Sequence, residues 1–268
     1  MKDVIRPLSA EFLGTFAFVF IGAGALVTDA ARGGELGVVG IALANALAFA
    51  VMVTVTMPIS GGHLNPATTF ALWLAKRLDA KMAGLYVVTQ LIAAALAVLV
   101  VRLLLPGMAG LHTDYGAPQI SGLLTDTRAV FLEAIFTMFL VAAVFGTIVS
   151  REAPKVGGFG VGLVLGFAMI VGGPLTGAVM NPARAFGPAV ISGNWQGHFI
   201  YWVGPLLGAA AAAGLWAWVL CPDEEREAVP ERGGAQGDLV EREGVEPGSV
   251  KSDRMKRRKG KRGKGQSS

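Results

Sequence analysis

Residues 58–67 read PISGGHLNPA, and residues 174–183 read PLTGAVMNPA. The two stretches align without a gap, and seven of their ten positions hold identical or similar side chains. One Asn-Pro-Ala tripeptide is a weak signal, whereas a ten-residue match placed once in each half of an apolar chain is specific. We therefore interpret the chain as an internal duplication organised around these two stretches.

The composition around the two stretches is typical of a membrane protein. The 268 residues are 53% hydrophobic and only 16% charged, with a mean hydropathy of +0.56. The only cysteine is Cys221, so an intramolecular disulfide is excluded. The sequence contains no cluster of metal ligands, nucleophile triad or phosphate-binding loop, and it therefore predicts no enzyme, no cofactor and no metal site.

Six segments are apolar and long enough to cross a bilayer, which requires about 20 helical residues. They are residues 9–28, 36–58, 82–105, 129–149, 156–174 and 197–220. Two shorter apolar segments, residues 67–75 and 183–191, each follow one of the duplicated stretches. Nine helical residues cover roughly 14 Å, about half the hydrocarbon thickness, so we expect these segments to enter the membrane without crossing it.

Each half of the chain thus consists of two spans, a half-span and a third span, with repeat one at about residues 9–105 and repeat two at about residues 129–220. Glu11 and Glu133 open the two halves in similar contexts. Three crossings per half reverse the direction of the second copy, which places a functional site near the midplane. The predicted fold class is an all-α membrane protein, an inverted repeat of six transmembrane helices plus two re-entrant half-helices.

Basic residues in short loops predict the orientation. One side holds Lys2, Arg6, Lys76, Arg77, Lys81, Arg151 and Lys155, and the other holds Arg32, Arg102 and Arg128. We expect both termini to be cytoplasmic in a plasma or inner membrane, and residues 106–128 to be a long external loop. The N-terminal segment also resembles a secretory signal peptide, but Glu11 interrupts its apolar run and the repeat requires it, so we interpret it as a retained first span.

Residues 222–268 differ from the rest of the chain, because nine acidic residues precede a cluster of eight basic ones without apolar periodicity. We predict a channel domain over residues 1–221 followed by a disordered, charged, cytoplasmic tail. An alternative is that the basic cluster contacts anionic lipid. The pI near 9.4 reflects this tail and the loops, and we predict no nucleic-acid partner.

The duplicated stretches have the chemistry of helix starts. Asparagine is a favoured helix cap, and proline suits the first helical turn because its missing N–H would have no partner there. Taken singly, each stretch predicts only a well-capped short helix. Two such helices entering from opposite faces would bring the positive ends of their dipoles together at Asn65 and Asn181. Their side-chain amides would then supply donors to a passing water, while the dipoles oppose cations and protons.

The residues before each asparagine, 60–64 and 176–180, are predicted to be extended. Irregular backbone at membrane depth is tolerated where it is buried or lines a wet cavity. We expect the following carbonyl groups to form a ladder of acceptors along a pore: Gly61, Gly62, His63, Leu64, Gly177, Ala178, Val179 and Met180. Glu11 and Glu133 are expected to accept backbone N–H groups of these loops, with a proton relay as the alternative. For His63 the alternatives are tuning of pore polarity or packing within its loop.

With these features the sequence resembles the aquaporin (major intrinsic protein) family over about residues 8–220. The residues that carry the resemblance are Asn65, Pro66, Ala67, Asn181, Pro182, Ala183, Arg184, Glu11 and Glu133. The resemblance, to bacterial-type members of the water-channel branch, implies six tilted helices and two half-helices in a homotetramer with one pore per subunit. It also implies a passive channel for water and small uncharged solutes across the lipid bilayer.

The resemblance further implies an outer constriction that acts as a selectivity filter. Arg184 matches the filter arginine of the family. Asn45, Met169 and Ala178 stand where water-selective members have Phe, His, and Cys or Thr, so the filter is non-standard. The set is similar to that of vacuolar-type and of ammonia- or urea-permeable members and does not resemble the glycerol-channel constriction. The sequence leaves the ranking of water, ammonia, urea, peroxide and glycerol open.

Two other functions fit the same pattern. A secondary transporter also uses inverted repeats and broken helices, although it would need ligands for a coupling ion near the midplane. A structural membrane protein with a closed pore is the second alternative.

Overall fold

The computed structural model describes residues 2–154 and 156–221, and within them the chain forms nine α-helices and no strand. The helices are α1 (Lys2–Ala31), α2 (Gly37–Ser60), α3 (Pro66–Leu74), α4 (Ala80–Leu104), α5 (Gly107–His112), α6 (Asp126–Val144), α7 (Gly158–Thr176), α8 (Pro182–Ser192) and α9 (Ile200–Leu215). Helices α6 and α9 continue into π-helical turns at Phe145–Val149 and Trp216–Leu220. The predicted tail lies outside the described residues.

Six of these helices are long and apolar enough to cross a membrane, namely α1, α2, α4, α6, α7 and α9. The spans of α6 and α9 include the π-helical turns that follow them. The predicted fold class is therefore confirmed. The main difference in bounds is at α1, which begins at Lys2 rather than near residue 9 because the polar residues before the apolar run continue the same helix. Helices α3 and α8, with nine and eleven residues, are the two predicted half-helices.

The two repeats interlock. Helix α1 packs on α2 and α4, while α6 packs on α7 and α9, so each repeat forms its own group of three spans. The half-helices are exchanged between these groups: α3 packs against α9 of the second repeat, and α8 packs against α4 of the first. Helices α2 and α7 form a further contact between the repeats. Each repeat therefore supplies the half-helix that packs against the third span of the other repeat.

Small residues allow the close approach of the spans, as is common for helix pairs in membranes. A Cβ atom at Gly162 of α7 would lie 2.5 Å from the Cβ atom of Ala50 on α2. A Cβ atom at Gly208 of α9 would overlap the carbonyl group of Ala134 on α6. Glycine is thus needed where these pairs of helices touch.

The loops before the half-helices are shorter and more tightly turned than predicted. Ser60 and Thr176 are the last residues of α2 and α7, and the next residues, Gly61 and Gly177, take φ values of 89° and 88°. The prediction of an extended backbone over 60–64 and 176–180 was wrong in this respect. Pro58 and Pro174 sit inside the last helical turns, and the helices end two residues later, at Ser60 and Thr176. The glycine that follows each of these residues takes a left-handed conformation.

The connection between the repeats is partly helical. It contains α5 and a 3-10 turn at Asp114–Gly116, and Tyr115 is buried against the end of the bundle. Asp114, Tyr115 and Gly116 all have positive φ, at 47°, 52° and 85°. Sequence periodicity missed α5 because a helix of six residues is too short to show an amphipathic pattern.

Candidate functional site

The N-termini of the two half-helices are built alike. Asn65 and Asn181 are the caps of α3 and α8, and both have extended backbones. The Oδ1 atom of Asn65 accepts from the backbone N–H of Ala67 at 2.8 Å, and that of Asn181 accepts from Ala183 at 3.0 Å. Pro66 and Pro182 follow as the first helical residues. The local sequence thus produces both half-helices by the same capping chemistry.

The two asparagines also bind across the repeats. The Nδ2 atom of Asn65 donates to the carbonyl oxygen of Met180 at 2.9 Å, and the Nδ2 atom of Asn181 donates to that of Leu64 at 2.9 Å. Asn65 is fully buried and Asn181 is 2% exposed. Because each amide carries two N–H donors, one N–H of each asparagine is held by the opposite loop and the other is left for a further acceptor.

Glu11 fixes the loop of the first repeat from within the protein. Its Oε2 atom accepts from the backbone N–H of Leu64 at 2.7 Å and from the Nε2 atom of Gln90 at 2.8 Å. Its Oε1 atom accepts from the backbone N–H of His63 at 2.9 Å and from the hydroxyl of Ser60 at 2.7 Å. These are the loop contacts that the sequence led us to expect.

Glu133 makes the equivalent contacts in the second repeat. Its carboxylate accepts from the backbone N–H groups of Val179 at 3.0 Å and Met180 at 2.8 Å, and from the hydroxyl of Thr176 at 2.7 Å. Both glutamates are fully buried, so each loop supplies the donors that a buried carboxylate requires. Pro205 of α9 stands near the position that Gln90 occupies in α4, and the second carboxylate therefore lacks the amide partner of the first.

These hydrogen bonds determine where the loop carbonyl groups point. In a trans peptide the carbonyl group lies opposite the N–H group, and the described chain contains no cis peptide bond. The carbonyl groups of Gly62, His63, Ala178 and Val179 therefore point away from the glutamates. Those of Leu64 and Met180 accept from the asparagines, a role that the sequence analysis did not foresee. The backbone N–H groups of Gly62 and Ala178 donate to the hydroxyl oxygens of Ser60 and Thr176, each at 3.2 Å, so the carbonyl groups of Gly61 and Gly177 point away from those hydroxyls.

A cavity of about 220 Å³ lies beside the second loop. It brings together all four predicted filter residues, Asn45, Met169, Ala178 and Arg184. Its other lining residues are Phe18, Leu26, Val38, Ile41, Gly116, Pro118, Leu165, Gly173, Pro174, Gly177 and Val179. The side chains that line the cavity are thus apolar, apart from the polar side chains of Asn45 and Arg184.

Among the described residues that line this cavity, Arg184 carries the only charged side chain. It is 6% exposed, and its Nη1 atom donates to the carbonyl oxygen of Gly116 at 2.9 Å. Within residues 2–154 and 156–221, no carboxylate lies within ion-pair distance of it. Its positive charge is therefore held by a neutral backbone acceptor.

Asn45 presents an acceptor near the arginine. Its Nδ2 atom donates to the carbonyl oxygen of Ile41 on the same helix at 2.8 Å, which turns the side-chain oxygen away from that turn. A Cβ atom at Gly22 of α1 would overlap this oxygen and would lie 3.2 Å from the Nε atom of Arg184. Gly22 therefore leaves the space in which these two polar side chains lie.

The His63 side chain contacts residues of α3 and α4. Its Nδ1 atom lies 3.1 Å from the hydroxyl oxygen of Thr69, and its ring meets the edge of Tyr86 at 5.0 Å between centroids. The side chain is 5% exposed. Of the two alternatives for His63, tuning of pore polarity or packing, these contacts correspond to packing with a local hydrogen bond.

Sequence reasoning missed several residues of the site. Phe18 and Gly22 come from α1, where neither a motif nor a spacing distinguishes them from other apolar or small residues. Gly116 lies in a loop without periodicity. Gln90 did carry a signal, because a polar amide inside an apolar span must find a buried partner, and its partner is Glu11 of α1.

Two interlocked inverted repeats, with half-helices meeting at a pair of buried asparagines, define a polytopic membrane protein of the channel class. The sequence model described as Major intrinsic protein matches residues 1–216. A probable aquaporin TIP3-2 of Arabidopsis thaliana is 42% identical over 235 residues, covering 82% of this chain and 85% of that protein. Aquaporin-4 of Mus musculus is 37% identical over 226 residues, covering 82% of this chain and 69% of that protein.

A solved structure shares the fold. The X-ray structure of the aquaglyceroporin from Plasmodium falciparum superposes with a TM-score of 0.72 at 25% identity, covering 82% of this chain and 98% of that chain. The chain belongs to the major intrinsic protein (aquaporin) family. It is therefore an integral, multi-pass membrane channel for passive transport and not an enzyme.

Proposed function

We propose that this channel conducts water and small uncharged solutes and excludes ions and protons. The observation that carries the proposal is the asparagine pair, whose amides are each fixed by the opposite repeat at 2.9 Å. A fixed donor needs no reorganisation when a water arrives. The second N–H of each amide is free to donate to a single water oxygen between the two half-helices.

A water oxygen that accepts from both asparagines has no lone pair left for a neighbouring water. It donates outward on both sides, so a continuous chain of proton transfer is interrupted at this point. The two helix N-termini add positive potential at the same place and oppose cations. The charge of Arg184 adds a second barrier of the same sign above the asparagine pair.

The lining of the cavity supports a filter that accepts small solutes besides water. Arg184 offers donors, Asn45 offers an acceptor, and Met169 and Ala178 offer apolar surface. A small molecule with one acceptor and one or more donors, such as urea or ammonia, matches this pattern. The non-standard filter predicted from the resemblance is thus the basis of our proposal for these permeants.

Assembly and orientation belong to the same proposal. The distribution of basic loop residues supports cytoplasmic termini in a plasma or inner membrane. The outward faces of α2 and α7 carry large exposed apolar side chains, including Leu43, Leu47, Leu163 and Phe167. These faces suit contact with lipid and with other subunits, and we propose a homotetramer with one pore in each subunit.

A flux panel tests the function. Proteoliposomes containing the full chain are mixed in a stopped-flow instrument with a hyperosmotic solution of an impermeant solute, which drives water flux. In separate runs they are mixed with ammonia, urea, peroxide or glycerol, which gives the flux of each solute. We expect fast water flux without an ion gradient and no increase in proton conductance over empty liposomes. Water flux that requires an ion gradient would contradict the proposal, as would a proton leak that rises with protein content.

A further inference from the structure

A second concave surface lies outside the pore, between α4 and α8. Val88, Ile92 and Ala95 of α4 form one wall, and Phe186 and Val190 of α8 form the other. All side chains that line it are apolar, and Val88 and Ile92 are 55% and 52% exposed. We call this surface the α4–α8 groove. Since both helices lie within the membrane region, its natural contacts are hydrocarbon chains.

Arg102 lies beyond one end of the groove, further along α4. Counting from Val88, residues 92, 95, 99 and 102 follow at the three- and four-residue steps that keep one face of a helix. Arg102 therefore continues the groove wall of α4. Its Nη1 atom donates to the carbonyl oxygen of Ile191 at 3.3 Å, next to Val190 on the opposite wall. The guanidinium group thus bridges the ends of both helices.

The charge of Arg102 is not neutralised by the protein. The side chain is exposed, and no carboxylate of the described residues lies within ion-pair distance of it. Its other neighbour is the ring of Tyr115, 5.7 Å from the guanidinium carbon. A guanidinium group that donates to only one carbonyl oxygen retains several free N–H donors. It is therefore equipped to bind a phosphate group from the membrane side.

The same end of the groove carries an interfacial aromatic residue. Trp195 is 48% exposed, and its ring packs edge-on against Phe186 of the groove wall at 5.9 Å. Tryptophan is enriched at the level of the lipid headgroups. Arg102 and Trp195 thus mark the same interface by independent chemistry.

The length of α4 from the start of the groove at Val88 to Arg102, which lies beyond the groove, fits one leaflet. From Val88 to Arg102 there are fourteen helical steps, or about 21 Å. One leaflet, with its share of the headgroup region, is about 20–22 Å thick. If Arg102 lies at headgroup level, Val88 lies near the midplane, and one acyl chain covers the groove between them.

We propose that the α4–α8 groove is a binding site for an anionic phospholipid. One acyl chain lies between Ile92 and Phe186, and the headgroup phosphate accepts hydrogen bonds from Arg102. Charge complementarity selects an anionic headgroup over a zwitterionic one, and the apolar walls select a chain rather than a polar ligand. This site is independent of the solute preference of the pore.

Native mass spectrometry of the full chain tests the proposal. The protein is released from micelles that contain equal amounts of palmitoyl-oleoyl phosphatidylglycerol and phosphatidylcholine. We expect more retained phosphatidylglycerol, and we expect Arg102→Gln to reduce that preference by about fivefold, the effect of roughly 1 kcal/mol per basic residue. Arg102→Lys should keep most of it because the charge remains.

Two further variants separate the possible results. Arg128→Gln removes another exposed arginine, at the start of α6 and away from the groove, and should leave the preference unchanged. Ala95→Trp fills the groove and should reduce retention of both lipids. Equal retention of the two lipids by the unmodified protein would overturn the proposal, as would equal losses in Arg102→Gln and Arg128→Gln. Dissociation of an oligomer by Ala95→Trp without loss of lipid would assign the groove to a second copy of the chain.

Discussion

At the scale of single residues, Arg184 combines a buried position with an uncompensated charge. Its guanidinium group is held by the Gly116 carbonyl oxygen rather than by a carboxylate, so its field is directed into the cavity. Its backbone N–H also donates to the cap oxygen of Asn181, at 3.3 Å. The capping geometry of α8 thereby determines where the charge lies.

Replacement of Arg184 by Val should widen the cavity and remove its barrier to cations. We expect glycerol and urea flux to rise by about tenfold relative to water, since a single group in a pocket is worth about 1–3 kcal/mol of discrimination. Stopped-flow light scattering on proteoliposomes gives the ratio. Arg128→Val is the matched control, and an unchanged solute profile in Arg184→Val would show that the filter lies elsewhere.

Ala178 provides a position for a chemical probe of the cavity. The unmodified channel should resist mercury, because its only thiol, Cys221, follows the final π-helical turn and does not line the cavity. Ala178→Cys should become sensitive and lose most of its water flux on addition of mercuric chloride, with recovery after a reducing agent. Block of the unmodified protein that disappears in Cys221→Ser would contradict this assignment.

The sequence predicted some of these residues and not others, for a physical reason. Asn65, Asn181 and Arg184 belong to a local motif, and local capping chemistry depends only on neighbours along the chain. Phe18 and Gly22 contribute by packing across helices, so no pattern within α1 reveals them. The cross-repeat bonds of the asparagines depend on the same long-range packing.

At the scale of elements, the turn Asp114–Gly116 supports the arginine. Its three residues have positive φ, which is costly for Asp114 and Tyr115 because they carry side chains. The Oδ2 atom of Asp114 accepts from the Nδ2 atom of Asn194 at 2.8 Å and from the Nε2 atom of Gln119 at 3.2 Å. Side chains from two loops therefore hold the conformation that presents the Gly116 carbonyl group.

Loss of this support should alter selectivity more than water flux. In Asp114→Ala the turn is free to relax, Arg184 loses its fixed acceptor, and we expect the glycerol-to-water flux ratio to rise by about threefold. Asn194→Ala should act in the same direction. The control is His112→Ala, an exposed residue of the same connection. Equal ratios in all four proteins would mean that the turn does not position the arginine.

The close contact between α6 and α9 requires glycine at position 208, where a side chain would collide with α6. Gly208→Ala would force a methyl group into the Ala134 carbonyl group, and we expect a loss of about 1–3 kcal/mol in stability, as for other overpacked contacts. Gly84→Ala on α4 meets no atom within 4 Å and should be neutral or slightly stabilising. Thermal unfolding in detergent compares the two, and equal melting temperatures would refute the packing argument.

Element boundaries were predictable where local chemistry defines them. The half-helices begin at Pro66 and Pro182, directly after the asparagine caps, as the motif indicated. The predicted spans ended at residues 58 and 174, whereas α2 and α7 continue for two more residues and end where Gly61 and Gly177 take a left-handed conformation. Helix α5 left no signal in the sequence.

At the scale of the whole molecule, every predicted pore residue lies within residues 2–221. We therefore expect a chain ending at residue 221 to conduct water at the same rate per channel as the full chain. Stopped-flow measurements normalised to the amount of protein in the liposomes test this expectation. Normal insertion with a large loss of flux in the shortened chain would mean that residues 222–268 contribute to conduction.

The exchange of half-helices between the repeats constrains how the molecule can be made. During synthesis α3 emerges long before α9, against which it packs, so α3 completes its packing only when almost the whole channel has been translated. Asn65 likewise has no Met180 carbonyl group to bind until the second duplicated stretch, residues 174–183, is inserted. We therefore expect the packing around α3 to be completed only after the last span has entered the bilayer. A ribosome that stalls before α9 would leave a membrane intermediate in which α3 lacks its packing partner from the second repeat.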